Sequence, residues 1–448
     1  MPRTILSWAL VTIIAMPGLS LAEPLSLDEA IRHALTHNPE LKAADARTAA
    51  AEARAKAAKG AFLPQLNARY LARRSDNPLD AFADKLNTRS VTAADLDPAA
   101  INQPSTSSLR ATQLSLELPL YTGGRLIAGS RAAQALAEGA RHAFTYRRQA
   151  TVYRTIEAYR SAQAAVFAVQ IMSDAVEAAR EHAETTARLV RQGRIVASDR
   201  LTAELNLSAV ESLRAQAVSR ERERREELRI VTGFGPDSDL VLPPWERLPP
   251  PPAPAADLEA RALAQRADLK ASEARVAAAR SRMTAARAAF LPQVGVVAAD
   301  TWYDDNAALD NKSQSIMGVV SLNFFNGGRD WHGLAAARRE TEEAEAERDG
   351  TREAVRRDVR LAHNRLTEAL ARRQIAEQGV DKAREAVRLI KQRYGEGRTI
   401  LIDLLMAERV LVEARHEELT AALQSELAAA ALRLAEGGLP LPGDASAN

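Results

Sequence analysis

Apolar and polar residues alternate along four short stretches of the chain. In one of them, every second residue from Leu114 to Leu120 is leucine. A period of two predicts β-strands, and lengths of about ten residues suit strands that cross a bilayer at a tilt. A soluble hairpin packed on helices, with one polar face, is the alternative interpretation. The predicted strands cover about 64–74, 109–121, 293–303 and 316–326.

Two much longer stretches, about 126–191 and 330–394, contain no proline and follow a helical pattern. At 1.5 Å per residue, each predicted helix is roughly 100 Å long. In the second helix a seam recurs in alternating steps of four and three residues, and the same register occurs 204 residues earlier. A 3.5-residue period predicts left-handed supercoiling against a partner helix. The seam consists of Val355, Val359, Ala362, Leu366, Ala369, Arg373, Ala376, Val380, Ala383, Val387, Ile390 and Tyr394.

Several motifs occur twice, in the same order, which indicates an internal repeat. The paired motifs are Phe-Leu-Pro-Gln at 62–65 and 290–293, Gly-Gly-Arg at 123–125 and 327–329, Gly-Arg at 193–194 and 397–398, and aspartate at 199 and 403. Seven prolines between the two copies forbid a helix there and favour an extended connector. The second copy therefore follows the first as a separate structural unit.

Each copy is predicted to consist of a helix, two strands and two further helices. The predicted organisation is a first repeat at 23–241, a proline-rich linker at 242–256, a second repeat at 257–436 and a C-terminal tail at 437–448. Pro64 and Pro292 are expected to end the first helix of each copy, at about 28–60 and about 257–289. A long polar loop is expected at 74–108 and a short one at 304–315. The predicted fold class is mainly α with a small β part.

The number of strands per chain predicts an oligomer. Four strands cannot close a barrel, and their open edges would be unsatisfied in lipid. Single-chain bacterial barrels start at about eight strands. If the strands enter a membrane, sister chains must complete the sheet, and three chains would supply twelve strands.

The N-terminal residues and the composition predict export of the chain and argue against several classes of protein. Residues 1–22 are predicted to be a secretory signal peptide, and Glu23 rather than cysteine follows the expected cut, so a lipid anchor is not expected. The chain has no cysteine, and its 60 basic and 58 acidic residues give no reason to expect nucleic acid as a partner. No phosphate-binding loop, nucleophile elbow or dinucleotide fingerprint occurs, so neither an enzyme nor a cofactor is predicted. His33 and His37 could share a metal ion, but a solvated pair is the favoured interpretation and no metal site is predicted.

These motifs together resemble the TolC-like outer-membrane factor family over nearly the whole mature chain. The resemblance rests on LSLDEAIRHALTHNPELKAA, the paired FLPQ, LPLYTGGR and NFFNGGR, the turns GRIVASDRLTAE and GRTILIDLLMAE, and the terminal ALRLAEGGLPL. It implies a homotrimer in which a twelve-stranded β-barrel in the outer membrane, in contact with lipid, continues into a long α-helical barrel in the periplasm. It also implies two partners, a periplasmic adaptor (membrane fusion protein) and an inner-membrane transporter.

The resemblance implies a passive exit duct of a tripartite efflux system. The outer-membrane channel of a type I protein secretion system is the alternative within the family, since the lumen is the same in kind. A periplasmic coiled-coil scaffold without a barrel is the alternative of another class.

The resemblance also supplies candidate site residues. The turns at 193–199 and 395–403, here called the tip turns, would lie at the periplasmic end of the helical barrel. In well-studied members two acidic residues one helical turn apart ring the closed pore; Asp403 matches the first, and Met406 replaces the second. Asp199 is the equivalent aspartate of the first copy. An acid in the first turn of a helix also favours the helix dipole, which is the structural alternative for both aspartates.

Glycine and arginine residues at the turns are the remaining candidates. The arginines of the tip turns could contact the adaptor or a neighbouring chain, or could simply be cations at a helix C-terminus. The glycines of the Gly-Gly-Arg motifs are expected to turn the second strand of each copy into its long helix. The candidates are Gly193, Arg194, Gly397 and Arg398 at the tip turns, and Gly123, Gly124, Gly327 and Gly328 at the strand-to-helix turns.

Overall fold

The computed structural model describes residues 24–238, 240–246, 257–304 and 311–439. The predicted signal peptide, linker residues 247–256 and tail residues 440–448 lie outside these ranges. The chain divides into two compact units. The sheet unit comprises Asn38–Tyr153, Pro251–Leu370 and Ser425–Asn448, and the turn unit comprises Met1–His37, Arg154–Pro250 and Ala371–Gln424.

The described chain is mainly helical with a single small sheet. Its helices are α1 (Leu27–His37), α2 (Pro39–Gly60), α3 (Pro78–Asn87), α4 (Pro98–Asn102), α5 (Arg125–Arg191), α6 (Ala197–Thr232), α7 (Leu258–Gln265), α8 (Ala267–Arg287), α9 (Arg329–Gly395) and α10 (Leu401–Glu436). Its strands are β1 (Gln65–Ser75), β2 (Ser107–Tyr121), β3 (Gln293–Asp304) and β4 (Asn311–Ser321). Within the described ranges, no helix combines the length and the apolar character needed to cross a bilayer.

The four strands form one antiparallel sheet in the order β1-β2-β3-β4, so β1 and β4 are its edges. The fourth strand differs from its prediction at about 316–326, because it begins at Asn311 and ends at Ser321. Ser321 pairs with Gln293, the first residue of β3. Beyond this pair β3 offers no partner, so Leu322 and Phe324 lie outside the sheet despite their alternating pattern.

Side chains that alternate along the strands give the sheet two different faces. The register aligns Leu66 with Leu116, and Leu116 with Ala298, so that apolar side chains of neighbouring strands share one face. We call this the leucine-rich face. Six of its large apolar side chains are exposed in the single chain: Leu66, Tyr70, Leu114, Leu116, Ile316 and Val320.

The opposite, loop-covered face packs against the segment between β1 and β2. The sequence predicts a polar loop at 74–108, but the segment contains α3 and α4, which begin at Pro78 and Pro98. Asn77 and Asp97 precede these prolines and cap the helices with their side-chain oxygens. Asparagine or aspartate followed by proline is a helix start signal, and this accounts for the difference.

Ion pairs hold the segment in place. Arg73, on the loop-covered face of β1, pairs with Asp80 at 2.8 Å and also with Asp84. Lys85 pairs with Asp95 across the segment. The Lys85 ammonium, together with the N–H and hydroxyl of Thr92, holds the pKa of Asp95 at about 2. Asp95 therefore stays ionised at any physiological pH.

Glycines with positive φ join the sheet to the long helices. Gly123 and Gly124 have φ of 63° and 84°, and Gly327 and Gly328 have 70° and 82°. Residues other than glycine rarely adopt these backbone angles. A Cβ on Gly123 would also lie 2.8 Å from Leu291 Cβ, so this position requires glycine for space as well.

The long helices bury the predicted seam. The predictions of about 126–191 and 330–394 compare with Arg125–Arg191 and Arg329–Gly395. Every seam position of α9 from Val355 to Val387 is buried, which confirms the heptad assignment. In the sheet unit, Val355, Val359 and Leu366 form one core with residues of three other helices, namely Leu258, Ala262 and Leu269 of α7 and α8, and Leu432 and Ala435 of α10.

The predicted first helix of each copy is broken in the structure, which corrects the expectation of single helices at 28–60 and 257–289. The first break falls at Asn38, whose side chain accepts hydrogen bonds from the N–H groups of Glu40 and Leu41. Pro39 follows it and disfavours a helical conformation for the preceding residue. The second break falls at Arg266 between α7 and α8, where no proline occurs.

A C-cap glycine packs on each break. Gly233 follows α6 with φ 79°, and a Cβ there would lie 3.2 Å from the backbone carbon of His37. Gly437 follows α10 with φ 78°, and its Cβ would lie 3.1 Å from Arg266 N and Cα. The Gln149 side chain also donates a hydrogen bond of 3.0 Å to the Gly437 carbonyl. Each of these helix ends is thus fitted closely to a point where another helix is interrupted.

Arg266 is a buried cation whose side chain is 5% exposed. Its guanidinium donates to Asp268 at 2.6 Å and to Asp358 of α9 at 3.2 Å, and it lies 5.8 Å from the ring centre of Tyr146. Burial lowers the pKa of Arg266, but the hydrogen bond and charge of Asp268, with further help from Tyr146 and Asp358, more than offset this and raise it. The cation therefore joins α8, α9 and α5 within the sheet unit.

Candidate functional site

The two tip turns have the same backbone geometry. Gly193 has φ 68° and donates its N–H to Val190 O, and Arg194 N–H bonds to Leu189 O. Gly397 has φ 72° and bonds to Tyr394 O, while Arg398 N–H bonds to Arg393 O. This pair of bonds is the Schellman motif, in which a left-handed glycine satisfies the last carbonyl groups of a helix. The glycines therefore end α5 and α9 and let α6 and α10 start within a few residues.

The structure brings the two tip turns together in the turn unit. Leu401 and Leu405, in the first turns of α10, are buried against Ala183 of α5 and Ala203 of α6, and Leu207 and Tyr394 pack on them. We call this group of six residues the tip cluster. The ammonium of Lys391 lies 3.4 Å from the Glu181 carboxylate and adds a contact between α9 and α5. Four helices thus meet beside the turns.

The two candidate aspartates both lie in the first turn of a helix. Asp199 belongs to α6 and is half-buried, whereas Asp403 belongs to α10 and is exposed. Asp403 accepts a hydrogen bond from the Thr399 hydroxyl, four residues before it. Met406, one turn further along α10, is 51% exposed. Asp403 and Met406 thus share one exposed side of α10, and only the first of them carries charge.

The arginines of the tip turns differ in their contacts. Arg398 pairs with Glu396 at 3.1 Å, and both side chains are exposed. An exposed ion pair of this kind contributes little to stability. Arg194 is exposed as well, and its side chain makes no ion pair within the described residues. Both guanidinium groups are accessible to another protein.

Apolar side chains beside the tip turns are exposed to an unusual extent. They are Val196, Leu201 and Leu205 on the side of the first turn, and Ile400, Ile402 and Met406 on the side of the second. Sequence reasoning named the charged residues and Met406 here, but not the other five. A group of exposed apolar residues at the end of a helix is typical of a surface that binds another protein.

A buried histidine next to the tip cluster was also missed. His182 is 7% exposed, and its Nε2 lies 3.5 Å from the Glu408 carboxylate without making a hydrogen bond. In the sequence, His182 stands alone among helix-forming residues, and only the contact between α5 and α10 pairs it with Glu408. No local pattern in the sequence could have indicated this pair.

His33 and His37 stack on each other instead of presenting ligands to a metal. Their rings are 4.0 Å apart, and the other face of His33 stacks on Phe234 at 3.7 Å. His33 Nδ1 lies 2.9 Å from the carbonyl of Thr232. Among the residues that the structure describes, no three histidine, cysteine, aspartate or glutamate side chains converge as metal ligands.

The sheet, the long helices and the paired turns define the class of protein. Residues 30–233 and 258–438 match the family described as outer membrane efflux protein, and the chain belongs to that family. The resemblance to TolC-like outer-membrane channels is thereby confirmed.

Three curated relatives are bacterial proteins. The chain is 28% identical over 437 residues to Protein CyaE of Bordetella pertussis, covering 94% of this chain and 86% of that protein. It is 31% identical over 213 residues to the pyoverdine export outer membrane protein OpmQ of Pseudomonas putida, covering 44% of each. It is 27% identical over 316 residues to the alkaline protease secretion protein AprF of Pseudomonas aeruginosa, covering 68% of this chain and 64% of that protein.

Solved structures show the same fold at low sequence identity. A membrane protein from Pseudomonas aeruginosa superimposes with a TM-score of 0.80 at 21% identity, covering 92% of both chains. The Campylobacter jejuni CmeC outer membrane channel superimposes with a TM-score of 0.79 at 18% identity, covering 94% of this chain and 87% of that one. The fold of this chain is therefore that of outer membrane channels.

Proposed function

We propose that three copies of this chain form a passive exit duct across the outer membrane. The observation that carries the proposal is the sheet: four antiparallel strands with two open edges and an exposed apolar face. Open edges cost free energy in lipid unless another strand pairs with them. Pairing β4 of one copy with β1 of the next, three times over, closes a twelve-stranded barrel with no edge left.

Strand length and side-chain pattern support insertion of the sheet into a bilayer. The strands contain 11 to 15 residues, which suits tilted strands that cross a membrane. The leucine-rich face would meet lipid, and the loop-covered face would line the lumen. The segment with α3 and α4 then lies at the outer mouth.

The long helices would continue the duct into the periplasm, with the tip turns at its far end. We propose the chain as two repeats, 23–241 and 257–436, joined by the linker at 242–256 and preceded by a signal peptide that leaves no lipid anchor. The exposed apolar and arginine side chains of the tip turns are proposed contacts for a periplasmic adaptor and for neighbouring copies. The adaptor links the duct to an inner-membrane transporter, which supplies the energy.

The cargo is proposed to be small solutes, with secreted protein as the alternative. OpmQ is named for pyoverdine export, which supports small solutes, and AprF is named for alkaline protease secretion, which supports secreted protein. To separate the two possibilities, the chain is expressed in one strain that lacks its efflux duct and in another strain that lacks its secretion duct. Restored resistance to small toxic compounds supports efflux, and restored release of a secreted protein supports secretion.

Asp403 is proposed to form a ring of three carboxylates where the helical barrel narrows. We expect Asp403→Ala to weaken the preference for cations over anions roughly fivefold, since one nearby charge contributes about 1 kcal/mol in a water-filled setting. Single-channel recording in asymmetric salt measures this preference. Asp381→Ala serves as control because Asp381 is an exposed carboxylate elsewhere on the second long helix, with a weak ion pair to Arg384 at 3.7 Å. An unchanged preference in Asp403→Ala would leave this aspartate with a helix-dipole role only.

The duct itself is tested by location, mass and conductance. We expect the mature chain to remain in the outer membrane after a high-salt wash, to have the mass of a trimer in detergent, and to conduct ions in planar bilayers. A periplasmic scaffold would leave the membrane in the wash and would not conduct. A folded, detergent-free monomer would contradict the proposal.

A further inference from the structure

Two arginines stand at one end of the leucine-rich face. In the register of β1 and β2, Arg74 lies opposite Ser108, and Ala72 lies opposite Arg110. Arg74 and Arg110 are therefore diagonal neighbours on the same face, a separation of about 7–8 Å that long side chains can bridge. Both side chains are exposed.

This end of the face is the one nearest the segment between β1 and β2. One row further from that end, Tyr70, Thr112, Trp302 and Lys312 lie side by side across the four strands. The next row contains Ala68 and Leu114 with Asp300 and Gln314, and the row after it is apolar throughout, with Leu66, Leu116, Ala298 and Ile316. Aromatic side chains at the edge of an apolar band are typical of the membrane-water boundary of a β-barrel, and arginine or lysine side chains near it keep their charged ends in water.

On each face of the sheet, some basic side chains form ion pairs with described residues and others do not. Arg73, on the loop-covered face, is paired with Asp80 and Asp84. Lys312 is paired with Asp300 at 3.1 Å and lies 5.5 Å from the Trp302 ring. Arg74 and Arg110, in contrast, make no side-chain hydrogen bond or ion pair within the described residues. Asp304, opposite Arg110 in register, is buried.

We infer that Arg74 and Arg110 together bind a phosphate group of an outer-leaflet glycolipid. This inference rests on the proposed insertion of the sheet into the outer membrane, which turns the leucine-rich face toward lipid. Guanidinium groups bind phosphate oxygens through paired hydrogen bonds. Two arginines at this spacing can hold one phosphate between them while the acyl chains of the same lipid lie on the leucines below.

The test measures lipid retention by the full mature chain. The chain is reconstituted in nanodiscs of phosphatidylethanolamine with a minor fraction of bisphosphorylated lipid A, then extracted in mild detergent, and the retained lipid A is counted by native mass spectrometry. The double variant Arg74→Gln/Arg110→Gln is expected to retain roughly tenfold to thirtyfold less lipid A, because each arginine contributes about threefold to fivefold to the binding of an anionic lipid. Arg69→Gln is the matched control, because Arg69 is an exposed arginine on the opposite face of the same strand.

Two further arms identify the ligand. The native chain should retain little lipid A from which the phosphates have been removed. The amount should match the intact lipid A that the double variant retains. Millimolar inorganic phosphate should not displace intact lipid A; displacement would assign the site to free phosphate and overturn the lipid assignment. Equal retention by the double variant, or an equal loss in Arg69→Gln, would also overturn it.

Conductance separates this inference from the duct proposal. The native chain and the double variant are recorded in bilayers without lipid A, where we expect equal conductance because neither Arg74 nor Arg110 lies on the face that lines the proposed lumen. A chain that never inserts refutes the duct, whereas a conducting chain with no preference for phosphorylated lipid refutes only the lipid site.

Discussion

Replacing Arg266 with methionine should lower the free energy of unfolding by about 2–4 kcal/mol. The guanidinium is buried and joins Asp268 and Asp358, so its removal leaves both carboxylates facing a site without a cation. Methionine fills similar volume, which separates the lost charge from a cavity. Urea titration of the detergent-solubilised chain, followed by helical circular dichroism, measures the change.

Arg360→Met is the control for this substitution. Arg360 pairs with Glu259 at 2.7 Å, and its side chain is 67% exposed. Its loss should cost less than about 1 kcal/mol, because exposed pairs are screened by water. Equal midpoints for the two variants would show that burial of Arg266 does not strengthen its ion pairs.

Gly437→Ala should destabilise the end of α10 by about 2–3 kcal/mol. The left-handed φ of 78° alone costs an alanine roughly 1 kcal/mol. The new Cβ would also lie 3.1 Å from backbone atoms of Arg266, which cannot move without shifting the break between α7 and α8. Hydrogen exchange of the last turns of α10 and the first turn of α8 should accelerate together.

Gly438→Ala provides the neighbouring control. Its Cβ would meet only the Gln265 side-chain oxygen, at 4.0 Å, and its φ is not in the left-handed region. We expect exchange at the native rate in this variant. If Gly437→Ala behaved the same way, the close approach of Gly437 to Arg266 would not constrain the helix end.

Periodicity was enough to predict the long helices and their buried seam. Sixty-seven residues without proline, with a repeat of three and four, leave few alternatives to a supercoiled helix, and the predicted ends fall within one residue of Arg125 and Gly395. The glycines at 193 and 397 were equally informative, because a left-handed residue after a long helix is a strong stop signal.

Tertiary contacts decide what the sequence pattern missed. The break at Arg266 has no proline or glycine to announce it, and it is fixed by Asp358 and by the approach of Gly437. The shift of the fourth strand follows from where β3 begins, which no property of residues 316–326 reveals. The contact of His182 with Glu408 likewise joins residues far apart in sequence. The break at Asn38, by contrast, carried a readable signal in Asn38-Pro39.

Identical helix lengths constrain how genes for this chain can change by insertion and deletion. The two long helices each have 67 residues, and the helices after the tip turns each have 36. Inserting one residue into α9 alone would turn the rest of its seam by about 100° away from its partner. Seven residues would restore the seam but carry one turn about 10 Å beyond the other and pull the tip cluster apart. Viable length variants should therefore arise as paired changes of whole heptads.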